Sequence, residues 1–235
     1  MVGNASMIAS LNPSVPLIAD ADTGYGGPVM VSRTVMQYAR AGVAALHIED
    51  QVQQKRCGHL LGKQLVDRET YYARLRSAVK TRNDIGSDML IIARTDARQS
   101  YGFDEAVARL QGAVDIGVDV VFFEAMASEE EAARVCEIFK GTPCFLNMVP
   151  GGTTPNISVQ RAKDLGFRIM IHPVICIEPI INAVRNELET LHRTGSCSEQ
   201  ISAAGVKNAF NLAGLQECIA LDQVAGGNAY AGVGE

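Results

Sequence analysis

The chain of 235 residues has no tryptophan, no excess of basic residues and no long unbroken apolar run. A transmembrane helix needs roughly 18 or more consecutive apolar residues, so none is expected. Lys and Arg number 21 against 26 Asp and Glu, a net charge of −5. Nucleic-acid-binding surfaces are ordinarily basic, and this balance argues against one. Residues 1–16 lack the basic start and continuous apolar core of a secretory signal. The six cysteines (Cys57, Cys136, Cys144, Cys176, Cys197 and Cys218) show neither a CxxC pair nor a zinc-like spacing. In a chain this long they indicate reduced thiols. The expected setting is intracellular, cytoplasmic or mitochondrial, although a missing N-terminus would hide a leader. Most read as buried small hydrophobes.

What is present is a periodic α/β pattern. Hydrophobic residues make up 47% and charged residues 20%, which excludes wholesale disorder. Short apolar runs span 15–19, 44–48, 89–93, 118–123, 143–147 and 168–172. They read as strands buried on both faces, because they lack polar alternation. Their midpoints fall about 24 to 30 residues apart, with one gap of about 45, against roughly 30 for a strand with its return helix. Helical patterns fill 28–41, 68–82, 104–116, 128–139, 158–165 and 177–193, and a further helix opens the chain at 2–11. A helical extension is expected over 198–221, followed by a loose Gly/Ala-rich tail at 225–235. No linker interrupts this order, so one domain over 1–235 is expected.

Polar residues gather just after each strand: Asp20 and Asp22, Glu49 and Asp50, Arg94 and Asp96, Glu124, Asn147, His172. That end of a parallel sheet is where α/β folds place their active sites. Six strands do not close an eight-stranded barrel. Either the sheet is open or two N-terminal strands are missing from this chain.

Asp20 and Asp22, at i and i+2, point the same way and offer hard oxygen ligands suited to Mg²⁺ or Mn²⁺. The alternative is a turn-forming Asp-Thr-Gly-Tyr-Gly-Gly loop with solvated aspartates. Glu49 can bind metal-held water and Asp50 can orient a neighbour, or both can belong to a strand-end ion-pair cluster. His47 reads as a packed, hydrogen-bonded histidine. Lys55-Arg56-Cys57-Gly58-His59 lies in the oversized loop after the second strand. Cationic neighbours favour the thiolate, so Cys57 is a candidate nucleophile or general acid/base, on a loop suited to act as a lid. The alternative is a basic surface loop that happens to hold a cysteine. Arg94 can grip a carboxylate bidentately, or pair internally with Glu124, or both. Asn147 can donate to a carboxylate or tie down the following loop.

In this order, these segments resemble the isocitrate lyase/phosphoenolpyruvate mutase superfamily, from about Pro16 to Pro173. The Lys-Arg-Cys-Gly-His motif is the most specific element and resembles the carbon–carbon bond-cleaving branch. The resemblance implies a TIM-type (β/α)8 barrel, here expected to lack its first two strands, and a homo-oligomer, a tetramer with exchanged helices. It implies that Asp20 and Asp22 hold Mg²⁺ (or Mn²⁺), with Glu49 in the surrounding shell. Cys57 would be the acid/base on a gating loop, and Gly58 and His59 would meet the substrate. Arg94, Glu124 and Asn147 would hold substrate carboxylates. The implied reaction is a retro-aldol-type cleavage of a 2-hydroxy dicarboxylate, and the implied partner is a small dicarboxylate or 2-oxo acid substrate. Pro173, among the substrate-facing positions, stands where oxaloacetate hydrolases carry a serine. Glu178 stands near where methylisocitrate lyases carry an arginine. Both departures lean towards a dimethylmalate-lyase-like activity. Oxaloacetate hydrolysis is the second expectation. A catalytically impaired chain serving only as a binding or oligomer subunit is the third.

Overall fold

A computed structural model of the chain describes residues 1–58, 60–230 and 232, with 202–204 described by backbone alone. By its internal contacts the chain divides into two compact units, 1–173 and 174–235, where the sequence alone shows no boundary.

The first unit repeats strand and helix. It opens with α1 (Val2–Leu11), then β1 (Ile18–Asp20), α2 (Pro28–Arg40), β2 (Ala45–Glu49), α3 (Arg68–Asp84) and β3 (Leu90–Thr95). After these come α4 (Ala97–Tyr101), α5 (Phe103–Ile116), β4 (Val120–Phe123), α6 (Glu129–Ile138), β5 (Cys144–Asn147), α7 (Val159–Leu165) and β6 (Ile169–Ile171). The helix starts have local causes. Pro28 opens α2 at a position where its missing N–H costs nothing. The side chains of Asp67, Ser128 and Ser158 cap α3, α6 and α7 by accepting the N–H of Thr70, Glu131 and Arg161. Gly117 and Gly166 end α5 and α7 in the left-handed conformation. Only the single-turn α4 lay outside the expected pattern.

All six strands are parallel and run in the order β1-β2-β3-β4-β5-β6, with no pairing of β6 to β1. This is six strands of a TIM-type arrangement, an open half-barrel rather than a closed eight-stranded one. Alternation along each strand sorts the side chains. Leu46, Ile48, Ile91, Ala93, Val121, Phe123 and Leu146 join the large core with the helices. Ala45, Ile92, Val120, Phe122 and Phe145 form a separate apolar cluster on the other face, with Ile18 and Ile169 beside it. With a period of two, that second face continues toward the carboxyl ends as His47 and Glu49, Arg94, Glu124 and Asn147. Its apolar floor therefore ends in a polar rim.

The second unit is helical: α8 (Ile177–Thr194), α9 (Glu199–Leu212) and α10 (Leu215–Val224). The stretch expected over 198–221 is thus two helices. Gly214, in a left-handed conformation, separates them, and Gly205 breaks the helical backbone within α9. Residues 225–230 hold neither helix nor strand.

Candidate active site at the carboxyl ends of the strands

Asp20 closes β1. Its Oδ1 accepts the Asp22 backbone N–H at 2.7 Å, and its carbonyl accepts the hydroxyls of Tyr38 at 3.2 Å and Tyr25 at 3.4 Å. The loop that follows is strained. Asp22 and Tyr25 have φ of 49° and 62°, and Ala125, directly after Glu124, has φ of 62°. Backbone in this region costs non-glycine residues of order 1 kcal/mol or more and collects at functional sites. Gly24 takes the same region without that cost, and a Cβ there would collide with Val31. His47, paired with Asp20 across the sheet, sets its Nε2 3.7 Å from Asp20 Oδ1. Burial brings the His47 pKa down to about 4, so near neutral pH the ring is uncharged and the contact is not an ion pair.

Glu49 ends β2 with its side chain fully buried. Burial lifts its pKa to about 7, against the pull of Arg94 and with the push of Asp96. Gln51 donates to Glu49 Oε1 at 2.9 Å and exchanges hydrogen bonds with the Arg56 backbone, tying the long loop to the strand end. The Lys55 ammonium lies 2.5 Å from Asp22 Oδ1 and 3.4 Å from Glu49. It bridges the first two strand ends from within that loop.

Arg94 is the centre of the rim. Asp96 grips its guanidinium through both oxygens at 3.0 and 3.1 Å, and Glu49 and Glu124 each lie 3.4 Å away. Phe122 lies beneath it, 5.0 Å from ring centre to guanidinium carbon. Burial opposes its charge, but Asp96, Glu124 and Glu49 together hold its pKa above the ordinary arginine value. Asn147 completes the arc by donating to Glu124 at 3.0 Å, and its own side-chain oxygen is buried without a hydrogen-bond partner. Past Asn147, residues 148–152 and 154–156 with His172 line a cavity of 390 Å³.

The expected residues are therefore linked as one arc. Contacts run from Asp22 through Lys55 to Glu49, then Arg94, Glu124 and Asn147, with Asp20 joined through the Asp22 amide. Gly58 packs so closely on Arg94 that a Cβ would clash with the guanidinium. The Gly58 carbonyl accepts from Lys63 at 2.7 Å, and Lys63 is paired with Asp96 at 2.9 Å. Cys57, next in the chain, is exposed. His59 lies outside the described residues. Pro173 follows β6 by two residues, and no hydrogen bond or ion pair joins it to the arc among the described residues.

Four further residues take part without having been singled out as site residues. Asp96 clamps Arg94, Lys63 joins Asp96 to the loop, Gln51 joins Glu49 to the loop, and Lys55 spans two strand ends. Asp96 had a signal, its place two residues after Arg94. Gln51 stands likewise two residues after Glu49, Lys55 opens the Lys-Arg-Cys-Gly-His motif, and Lys63 has no signal that spacing reveals. Asp50 does orient neighbours, accepting from the Thr95 hydroxyl at 2.6 Å, the Asp96 N–H at 2.9 Å and Arg109 at 3.1 Å.

The donor chemistry suits a hard cation. Asp20, Asp22 and Glu49 offer carboxylate oxygens at neighbouring strand ends, and the Lys55 ammonium already lies against Asp22 and Glu49. Among the described residues no group of three or more His, Cys, Asp or Glu encloses a single point. A site of few protein ligands is what Mg²⁺ uses, since it keeps several waters and completes its shell with substrate oxygens.

The family description "Phosphoenolpyruvate phosphomutase" matches residues 1–192. The chain is 42% identical over 177 residues to 2,3-dimethylmalate lyase of Eubacterium barkeri, covering 75% of this chain and 60% of that protein. It is 42% identical over 182 residues to 2-methylisocitrate lyase of Aeropyrum pernix, covering 77% and 58%. It thus spans about 60% of the length of these curated relatives. Among solved structures, a 2,3-dimethylmalate lyase superposes with a TM-score of 0.90 at 50% identity, over 99% of this chain and 77% of that one. Oxaloacetate acetylhydrolase with the inhibitor 3,3-difluorooxalacetate gives 0.89 at 46% identity, over 97% and 77%. Phosphonopyruvate hydrolase in complex with oxalate and Mg²⁺ gives 0.77 at 28% identity, over 94% and 76%. A family match across most of the chain, and close superposition on solved relatives at 46 to 50% identity, establish that this chain belongs to the PEP mutase/isocitrate lyase superfamily.

Proposed function

We propose that this chain carries the catalytic rim of a divalent-metal-dependent carbon–carbon lyase acting on a 2-hydroxy dicarboxylate. The observation that carries this reading is the packing of Gly58 on Arg94. It brings the cysteine-bearing loop onto the charged strand ends. Asp20 and Asp22 would hold the ion, with Glu49 beside them in its outer shell. Bound there, a divalent ion supplies Lewis acidity to the hydroxyl and adjacent carboxylate oxygens of the substrate. The chain's own residues do the rest. Arg94, fixed by Asp96, Glu49 and Glu124, is a preorganised positive charge for a carboxylate that gains negative charge as the carbon–carbon bond breaks. We assign handling of the hydroxyl proton to Glu49. Cleavage then yields a 2-oxo acid and a carboxylate-stabilised carbanion. Cys57 gives its thiol proton to that carbanion, completing the second product. Asn147 and Glu124 order the far wall of the rim, and His59 and Pro173 are assigned to the substrate on resemblance.

Replacing Cys57 by Ser removes the acid and leaves the rim untouched. Turnover of 2,3-dimethylmalate, followed by release of the 2-oxo acid, should fall about 10²- to 10⁴-fold, with substrate binding largely kept. A near-normal kcat would refute the acid role. The likeness to oxaloacetate acetylhydrolase favours one second reading, hydrolysis of oxaloacetate to oxalate and acetate. Assaying oxalate after incubation with oxaloacetate and Mg²⁺ separates the two. We also assign the working protein to a homo-oligomer, supported by the exposed apolar side of α8.

A further inference from the structure

At the opposite end of the strands from the rim, Cys144 begins β5 and Cys136 lies in the last turns of α6. The two side chains interact with each other. Cys144 is buried and also directs its sulfur at the Thr142 carbonyl, 3.6 Å away, whereas Cys136 is partly accessible. Both line a cavity of 290 Å³ together with Lys140, Thr142, Gly166 and Arg168. The glycine matters, because a Cβ at Gly166 would press on the Cys136 side chain at 3.2 Å. Seven residues separate the cysteines, and a tight turn with Gly141 in the left-handed region holds them together.

We infer that Cys136 and Cys144 form a thiol–disulfide exchange site, which a small anionic disulfide of the oxidised-glutathione class converts into a Cys136–Cys144 bridge. The accessible Cys136 attacks first as the thiolate, its proton passing to solvent. One sulfur of the small disulfide bonds to Cys136, and the other leaves as a thiolate. The leaving thiolate takes the Cys144 proton, and the Cys144 thiolate then attacks the Cys136 sulfur and expels the second small thiolate, which takes a proton back from solvent. Two protein thiols are oxidised and one small disulfide is reduced to two thiols. The order follows from access, since the oxidant reaches Cys136 and not the buried Cys144. Lys140 and Arg168 at the cavity favour an oxidant that carries carboxylates. The neighbouring Cys144 side chain draws the Cys136 thiol below its ordinary pKa, and the same interaction with burial pushes Cys144 up, in keeping with attacker and resolver. Neither residue belongs to the reaction proposed above.

Trypsin separates the two cysteines, cutting after Arg134, Lys140 and Arg161 into peptides 135–140 and 141–161. The test is to incubate the folded chain with oxidised glutathione, unfold it in an alkylating agent, digest it and map the peptides by mass. Loss of both alkylatable thiols is expected, with 135–140 joined to 141–161 and the link removed by dithiothreitol. Cys144→Ser should instead retain glutathione on 135–140. If wild-type protein yields both peptides alkylated, or a stable glutathione adduct on 135–140 without the link, the exchange site does not exist.

Discussion

Arg94 keeps its charge in a buried place because three carboxylates surround it, and that arrangement decides what each neighbouring residue tolerates. Gly58 sits where a methyl group would enter the guanidinium. Gly58→Ala should therefore displace the loop or the arginine. We expect kcat in the proposed lyase reaction to fall by about tenfold or more, with little change in the thermal midpoint because the loop lies outside the core. Steady-state kinetics alongside a melting curve checks both halves. Glu49 makes a second prediction, one of sign. Burial raises its pKa to about 7 from an ordinary value near 4.5. Between those values the folded chain binds the proton more tightly than the unfolded chain, so its contribution to stability is present below pH 4.5 and is lost as pH rises through 7. The loss is on the order of 3 kcal/mol. Glu49→Gln should gain stability relative to wild type at pH 8 compared with pH 5, measured by urea unfolding in metal-free buffer. An equal difference at both values would show that Glu49 is not held protonated.

At the scale of elements, the polar contacts that set the rim reach back into the helix layer. Arg109 on α5 is buried and donates to Asp50 at 3.1 Å, to the Val66 carbonyl at 2.9 Å and to Glu105 at 2.8 Å. It joins α5, the end of the long loop and the turn after β2. Asp50 in turn holds Thr95 and the Asp96 N–H, so the placement of Arg94 is relayed from α5. Removing one partner of a buried pair leaves the other uncompensated, at a cost of about 3 to 5 kcal/mol. Arg109→Met should destabilise the chain by that amount in urea titration. A change under about 1 kcal/mol would mean that Thr95 and the Asp96 amide alone satisfy Asp50. The strands and most helices of this layer were legible in the sequence, because buried parallel strands read as apolar runs and caps such as Ser128 act locally. The break of 198–221 into two helices was less so. It turns on Gly205 and Gly214, and an isolated glycine within a helical pattern is tolerated as often as it interrupts.

At the scale of the whole molecule, one helix carries a continuous exposed apolar stripe. Ile177, Ile180, Ile181, Val184, Leu188 and Leu191 of α8 are all exposed, at the spacing of a single helix side. A contiguous exposed apolar stripe of this kind marks an association surface. The chain should sediment as an oligomer, and Ile180→Lys with Leu188→Lys should shift it to a monomer without loss of helical circular dichroism. A wild-type chain that sediments as a monomer at every concentration would contradict this.

The amino-acid sequence alone determined the βα order, the rank of the strands and the gathering of charge at their carboxyl ends. Those properties follow from hydrophobic period and from turn and cap residues, which act over a few positions. It also brought Asp20, Asp22, Glu49, Arg94, Glu124 and Asn147 forward as candidates, because each ends an apolar run or lies within three residues after one. Only the tertiary structure decided which of them touch. The approach of Glu49 and Glu124 to Arg94, the reach of Lys55 to two strand ends, the pairing of Lys63 with Asp96 and the interaction of Cys136 with Cys144 depend on register between strands and on loop packing. Those pairings are set by side chains meeting in space, and no local spacing encodes them.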